Sequence, residues 1–195
     1  LDIGCSYGVF LDLARRNGFD VYGIEASRDA CRYCKEVMGI DVFCGDIHKA
    51  DLADSYFDVV TALEVIEHSG DPGGFLDKVS KLLKPAGLLY LVTPDIDSFS
   101  ARALGRRWWS CRRMHLYYFS KNTLLKLLHN HGFTVLLQRP YKKTFTIEYI
   151  MQQLCLLAPE SLFCRSLSGL TRNFGMGRRM MTLSFGDLAV LARKI

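Results

Sequence analysis

Leu1-Asp2-Ile3-Gly4-Cys5-Ser6-Tyr7-Gly8-Val9-Phe10 opens the chain, and its reading decides the fold. Leu1 to Gly4 read as the end of a buried strand, and Gly4 to Gly8 as a tight turn. From Val9 the apolar spacing turns helical, with Phe10, Leu13 and Ala14 on one face. A strand that passes through a glycine turn into a helix presents backbone N–H groups and a helix N-terminus to a ligand. In an α/β sheet that place lies at the carboxyl ends of the strands. The dinucleotide fingerprint G-x-G-x-x-G is not met, because Ser6 stands where a middle glycine would let a pyrophosphate approach the backbone.

The same strand–helix unit recurs downstream. Asn17-Gly18 ends the first helix, as glycine past a helix end does. Asp20 to Ser27 give a second strand ending at Glu25, about twenty residues after the glycine turn, where a carboxylate is placed to hydrogen-bond both hydroxyls of a ribose. Ser27 caps the next helix, which stops at Gly39, and Asp41 to Ile47 form a third strand with Asp46 at its end. Phe57 to Leu63 are almost continuously apolar, the mark of a central parallel strand buried on both faces. Glu64, Glu67 and His68 follow it. Asp71-Pro72 opens a helix carrying Phe75, Leu76, Val79, Leu82 and Leu83, and Gly87 to Asp95 make a fifth strand. This alternation predicts an α/β, doubly wound sheet of seven mostly parallel strands with an antiparallel last strand.

Composition narrows the function classes. The 195 residues are 49% hydrophobic and 23% charged, which describes a globular chain with a full core in one domain over 1–195. No run reaches the ~18 to 20 apolar residues of a membrane span. Leu1 already lies inside a strand, so a preceding segment is expected. The net charge of +5 is mild, and although Arg102, Arg106, Arg107, Arg112 and Arg113 cluster, no RNA-module signature accompanies them, so no nucleic-acid partner is expected. The seven cysteines are scattered over strands, turns and helices, which fits reduced thiols and a cytoplasmic chain. Cys31-x-x-Cys34 has no second pair at zinc spacing and shares a helix face with Ala30, Val37 and Met38, so it reads as core.

The blocks, in this order, resemble the class I S-adenosylmethionine-dependent methyltransferases, in particular methyltransferase domain family 23 and its ubiquinone O-methyltransferase-like branch. Asp2, Gly4, Ser6 and Gly8 fall on the motif hydrophobic-Asp-x-Gly-x-Gly-x-Gly. The strand-two acid, Gly45-Asp46, the Asp58-to-His68 block and Pro85-x-Gly87 follow at family spacing, as do His115-to-Ser120 and a helix ending at His131-Gly132-Phe133. The resemblance implies S-adenosyl-L-methionine as cofactor, held by Asp2, Gly4, Cys5, Ser6, Gly8, Glu25, Ala26, Asp46, Ile47 and Leu63, with residues 1–95 as the cofactor half. It also implies a base for an oxygen acceptor, for which the candidates are His68 and His115. Some relatives in that branch are described as holding a magnesium-type ion on an equivalent Glu-x-x-Glu-His block, which makes Glu64, Glu67 and His68 the donors to weigh against no metal at all.

Residues 96–195 are then the acceptor half. The long connection from Asp95 to Ser120 interleaves its arginines with Trp108 and Trp109, residue types that suit an anionic or sugar-bearing small molecule. Solvated arginines around packing tryptophans are the plainer reading. A helix led by Ser120, a strand over 133–142, an insertion over about 144–180 with an amphipathic helix, and a closing strand over 187–195 complete the expectation. That insertion reads as an extra helix on the core ahead of a membrane contact. Two other functions stay open: a nicotinamide-dependent oxidoreductase, and a non-catalytic adaptor that kept the fold.

Overall fold

The computed structural model describes residues 1–151 and 179–195. Seven strands form one sheet in the order β3-β2-β1-β4-β5-β7-β6. They are β1 (Asp2–Ile3), β2 (Gly23–Glu25), β3 (Val42–Cys44), β4 (Phe57–Leu63), β5 (Leu83–Pro94), β6 (Phe133–Thr146) and β7 (Met180–Lys194). The first five are parallel, and β7 inserts antiparallel between β5 and β6. Strand order reverses between β1 and β4, which opens a crevice at the carboxyl ends of these two neighbours.

Helices α1 (Val9–Arg16), α2 (Arg28–Glu36), α3 (Pro72–Leu82), α4 (Phe99–Leu104) and α5 (Lys121–Asn130) cover the sheet. Their starts are chemically specified. Ser27, Asp71, Ser98 and Ser120 each accept a backbone N–H of the first turn, a cap worth about 1 kcal/mol. Between β4, β5, α3 and α5 the core is dry: Val60, Ala62, Leu76, Val79, Leu82, Leu89, Leu91, Leu124 and Leu128 are fully enclosed.

Three expectations change. In α1 the residue driven into the core is Leu11, while Phe10 and Leu13 face outward, because the turn at Gly8 sets the helix phase one residue away from the apolar count. The connection after Asp95 is not one open loop: it holds α4 and a 3-10 turn at Gly105–Arg107, and Trp108 is buried. The β6–β7 hairpin stays paired out to Thr146 and Met180, so the excursion begins after residue 146. The amphipathic helix expected there starts over 147–151, and its remainder, like the basic segment after it, lies outside the described residues. Among the described residues no helix is long and apolar enough to cross a membrane.

Candidate active site

The turn after β1 is built on left-handed backbone, with φ +73 at Gly4, +51 at Ser6 and +74 at Gly8. Glycine is required for space as well as torsion. A β-carbon at Gly4 would stand 2.6 Å from Val65 Cγ2, and one at Gly8 would stand 2.9 Å from the Cys34 sulfur. The turn is tied to the tip of β2. Glu25 accepts the Ser6 amide through one carboxylate oxygen and the Ser27 amide through the other, both at 2.8 Å. A carboxylate has about four acceptor positions, so two remain for a vicinal diol. The thiols of Cys31 and Cys34 donate to the carbonyls of Glu25 and Ser6, each at 3.3 Å, and fasten α2 beneath the same turn.

The ten expected cofactor residues divide by exposure. Gly4, Ser6, Ala26 and Asp46 are exposed, and Glu25 and Leu63 are half-buried, all on this edge. Asp2, Cys5, Gly8 and Ile47 are buried and shape the site from below. Asp2 accepts the Thr61 hydroxyl at 2.6 Å, and burial raises its pKa to about 6. Asp46 caps the 3-10 turn at Ile47–Lys49 by accepting the His48 amide with one oxygen. Burial pushes the pKa of the Cys5 thiol up, which disfavours the reactive thiolate.

The second half of the site lies over β4 and β5. A cavity of about 690 Å³ is lined by Glu64, His68, Arg107, Trp109, Ser110, Arg112, Met114, His115, Lys143, Phe145, Phe185 and Asp187, among others. The segment carrying His115 reaches it because the amides of Leu116 and Tyr117 donate to the Glu67 carbonyl. This docking brings the rings of His68 and His115 to 4.7 Å, edge to face. His68 Nδ1 lies 2.8 Å from the Met114 carbonyl, an acceptor only, so Nδ1 carries a proton and the neutral ring presents its lone pair at Nε2. Burial lowers the His115 pKa, which disfavours the charged ring.

Glu67 is only 1% exposed. It accepts the Thr93 hydroxyl at 3.0 Å, its other oxygen has no partner among the described residues, and burial raises its pKa to about 7. Of the donors considered for a cation, Glu67 and His68 come together with His115, all within 4.8 Å. Glu64 is not part of that group: with φ +59 it turns away and pairs with Lys143.

Lys143, Phe145, Phe185 and Asp187 escaped the sequence reading. They arrive through an irregularity in the hairpin, where pairing moves from Tyr141↔Asp187 to Lys143↔Leu183. The extra residues bulge from β7 at Gly186, whose φ is +103, and the hydroxyl of Ser100 holds the Phe185 carbonyl at 2.9 Å. Such a bulge re-aims side chains toward an active edge. Gly186 and the lone acid Asp187, beside the apolar run Leu188 to Leu191, were the available signal.

The profile of the methyltransferase domain family matches residues 1–138. A ubiquinone biosynthesis O-methyltransferase of Rhodopseudomonas palustris is 31% identical over 147 residues, 69% of this chain and 58% of the relative. One from Caulobacter vibrioides is 40% identical over 100 residues, 48% of this chain and 39% of that one. The chain thus spans less than two thirds of the length of these relatives. A solved S-adenosylmethionine-dependent methyltransferase of Mesorhizobium loti overlays 99% of this chain and 89% of its own at TM-score 0.64 and 17% identity, which shows a common fold.

Proposed function

This chain belongs to the methyltransferase domain family of class I S-adenosylmethionine-dependent enzymes, and we propose that it takes part in methyl transfer to an oxygen of a small-molecule acceptor. The observation that carries this reading is the Glu25 carboxylate fixed on the glycine turn at Ser6, on the same sheet as a cavity lined by a histidine whose Nδ1 is held by a backbone carbonyl. The residues present suit the cofactor. Exposed Gly4 and Ser6 leave room along the turn, Glu25 keeps acceptor positions for ribose hydroxyls, and Asp46 keeps one oxygen for an adenine amino group.

When bound, the cofactor supplies a methyl group on a sulfonium, so that a C–O bond forms as the C–S bond breaks and sulfur keeps the electron pair. The protein's share is alignment and proton removal. His68 Nε2 takes the acceptor's O–H proton, and the Met114 carbonyl holds the imidazole in the tautomer that permits it. His115 packs against His68 and closes the wall. Arg107, Arg112 and Trp109 favour an acceptor with an anionic or sugar portion. The O-methyltransferase names of the sequence relatives support oxygen as the acceptor atom. The cysteines among the described residues form no disulfide, which favours action in the cytoplasm.

Calorimetric titration with S-adenosylmethionine, followed by a screen for transfer of its labelled methyl group to phenolic and glycan-precursor acceptors, tests the reading. No cofactor binding and no labelled product would remove it. Saturable binding of NAD instead would favour an oxidoreductase.

A further inference from the structure

Lys143 enters the cavity from β6 with its side chain 28% exposed, and it is held between two carboxylates. Asp187 Oδ2 lies 2.8 Å from its Nζ on one side, and Glu64, at the tip of β4, pairs with it on the other. Burial opposes the charge on Lys143, but hydrogen bonds to Asp187 and Glu64 outweigh it and raise the pKa, so the ammonium is a fixed cation. An ammonium has three N–H donors. Among the described residues Asp187 and Glu64 are its partners, which leaves one donor for the cavity. Arg107 and Arg112 also line the cavity, but both lie on the exposed loop. Lys143 is held between its two carboxylates before a ligand arrives, and preorganised donors are the ones that stabilise developing charge.

We propose that Lys143 donates a hydrogen bond to the nucleophilic oxygen of the acceptor and so makes the pocket selective for hydroxyl over amine acceptors. The assignment rests on the methyl-transfer reading above. A hydrogen bond donated to the ionised form of a hydroxyl favours that form, so the free N–H of Lys143 lowers the pKa of the reacting O–H while its proton passes to His68. Lys143 keeps its own protons and no electron changes hands. An amine nucleophile meets the opposite situation. It must be neutral to react, and if its single lone pair accepts the Lys143 N–H that pair is no longer free to attack, whereas an oxygen has a second one.

The test reads a bound oxygen acid directly and needs neither cofactor nor turnover. 4-Nitrocatechol, whose phenolate absorbs in the visible, is titrated with pH while bound to the wild-type chain, Lys143→Arg, Lys143→Met and the double variant Lys143→Met/Glu64→Gln. In the double variant the net charge of the trio stays at its wild-type value, so it removes the donor without adding repulsion, and it remains decisive if the single variant does not fold. Wild type and Lys143→Arg are expected to lower the probe's first pKa by about 1 unit, the effect of a hydrogen bond donated to its ionised form. Both methionine variants are expected to lose most of that shift. An equal shift in the double variant, or no binding of the probe to wild type, overturns the proposal. A shift that depends on Lys143 in a protein that transfers no methyl group would instead sink the methyl-transfer reading and leave the pocket assignment in place.

Discussion

The carboxylate of Glu25 accepts the backbone N–H of Ser6 at 2.8 Å, a contact that closes 19 residues of chain at one strand edge. One side chain therefore fixes the glycine turn and also offers acceptors to a ligand. Replacing Glu25 with Ala should weaken S-adenosylmethionine binding by ~1–3 kcal/mol, the cost of losing hydrogen bonds to a charged group. Glu25→Gln, which keeps an amide oxygen for Ser6, should lose less. Calorimetry on both variants checks the order, and an affinity unchanged in Glu25→Ala would detach Glu25 from the cofactor.

His68 and His115 meet edge to face, and the Met114 carbonyl sets the tautomer of His68. His68→Ala should lower kcat by ~10²–10⁴, the range for a general base, with cofactor affinity preserved. His115→Ala should also slow turnover at near-normal cofactor affinity. Steady-state kinetics beside cofactor titration separates the two effects, and a normal rate in His68→Ala would move the base elsewhere.

Glu67 holds its proton up to about pH 7 in the folded chain because burial disfavours its charge, whereas its ordinary value is 4.5. A raised carboxyl pKa means that the folded state binds the extra proton. Its contribution to stability is therefore fully present below pH 4.5 and is lost as pH rises through about 7. The loss amounts to roughly 3 kcal/mol across that window. Glu67→Gln, neutral at every pH, should flatten this slope and unfold at higher denaturant than wild type at pH 8. Denaturation midpoints at pH 5 and pH 8 give the comparison, and parallel slopes would refute it.

Gly186 has φ +103, and a β-carbon there would stand 2.3 Å from Ser100 Oγ and 2.6 Å from Ser98 Oγ. Neither hydroxyl is free to yield, since Ser98 caps α4 and Ser100 donates to the Phe185 carbonyl. Gly186→Ala should cost about 1–3 kcal/mol from backbone strain and clash. It should also raise acceptor KM more than cofactor Kd, because the bulge carries Phe185 and Asp187. A melting curve with unchanged midpoint would show that the bulge tolerates a side chain.

The strand tips of the cofactor half were legible in the sequence because their determinants are local. The turn at Gly4 to Gly8 needs left-handed backbone, the capping serines sit next to the helices they start, and a doubly parallel strand such as β4 has to be apolar throughout. That reasoning placed Glu25 beside the turn and Asp2 in a buried strand, though it gave no hint that Asp2 would bond the Thr61 hydroxyl beneath it. The helical phase of α1 already escaped, since one residue of rotation at Gly8 exchanges Leu11 for Phe10.

The cavity over β4 and β5 depended on tertiary structure. Glu64, Lys143 and Asp187 are far apart in the chain and meet because β7 runs antiparallel between β5 and β6 and bulges at Gly186. His68 meets His115 because amides of one segment happen to find the Glu67 carbonyl of another. Charge pairs and ring contacts of this kind carry no periodicity. The sequence by itself determined which backbone conformations are possible at the turn and which strands are buried. Only the packing of distant segments, through strand register and a single bulge, decided which charged side chains face one another.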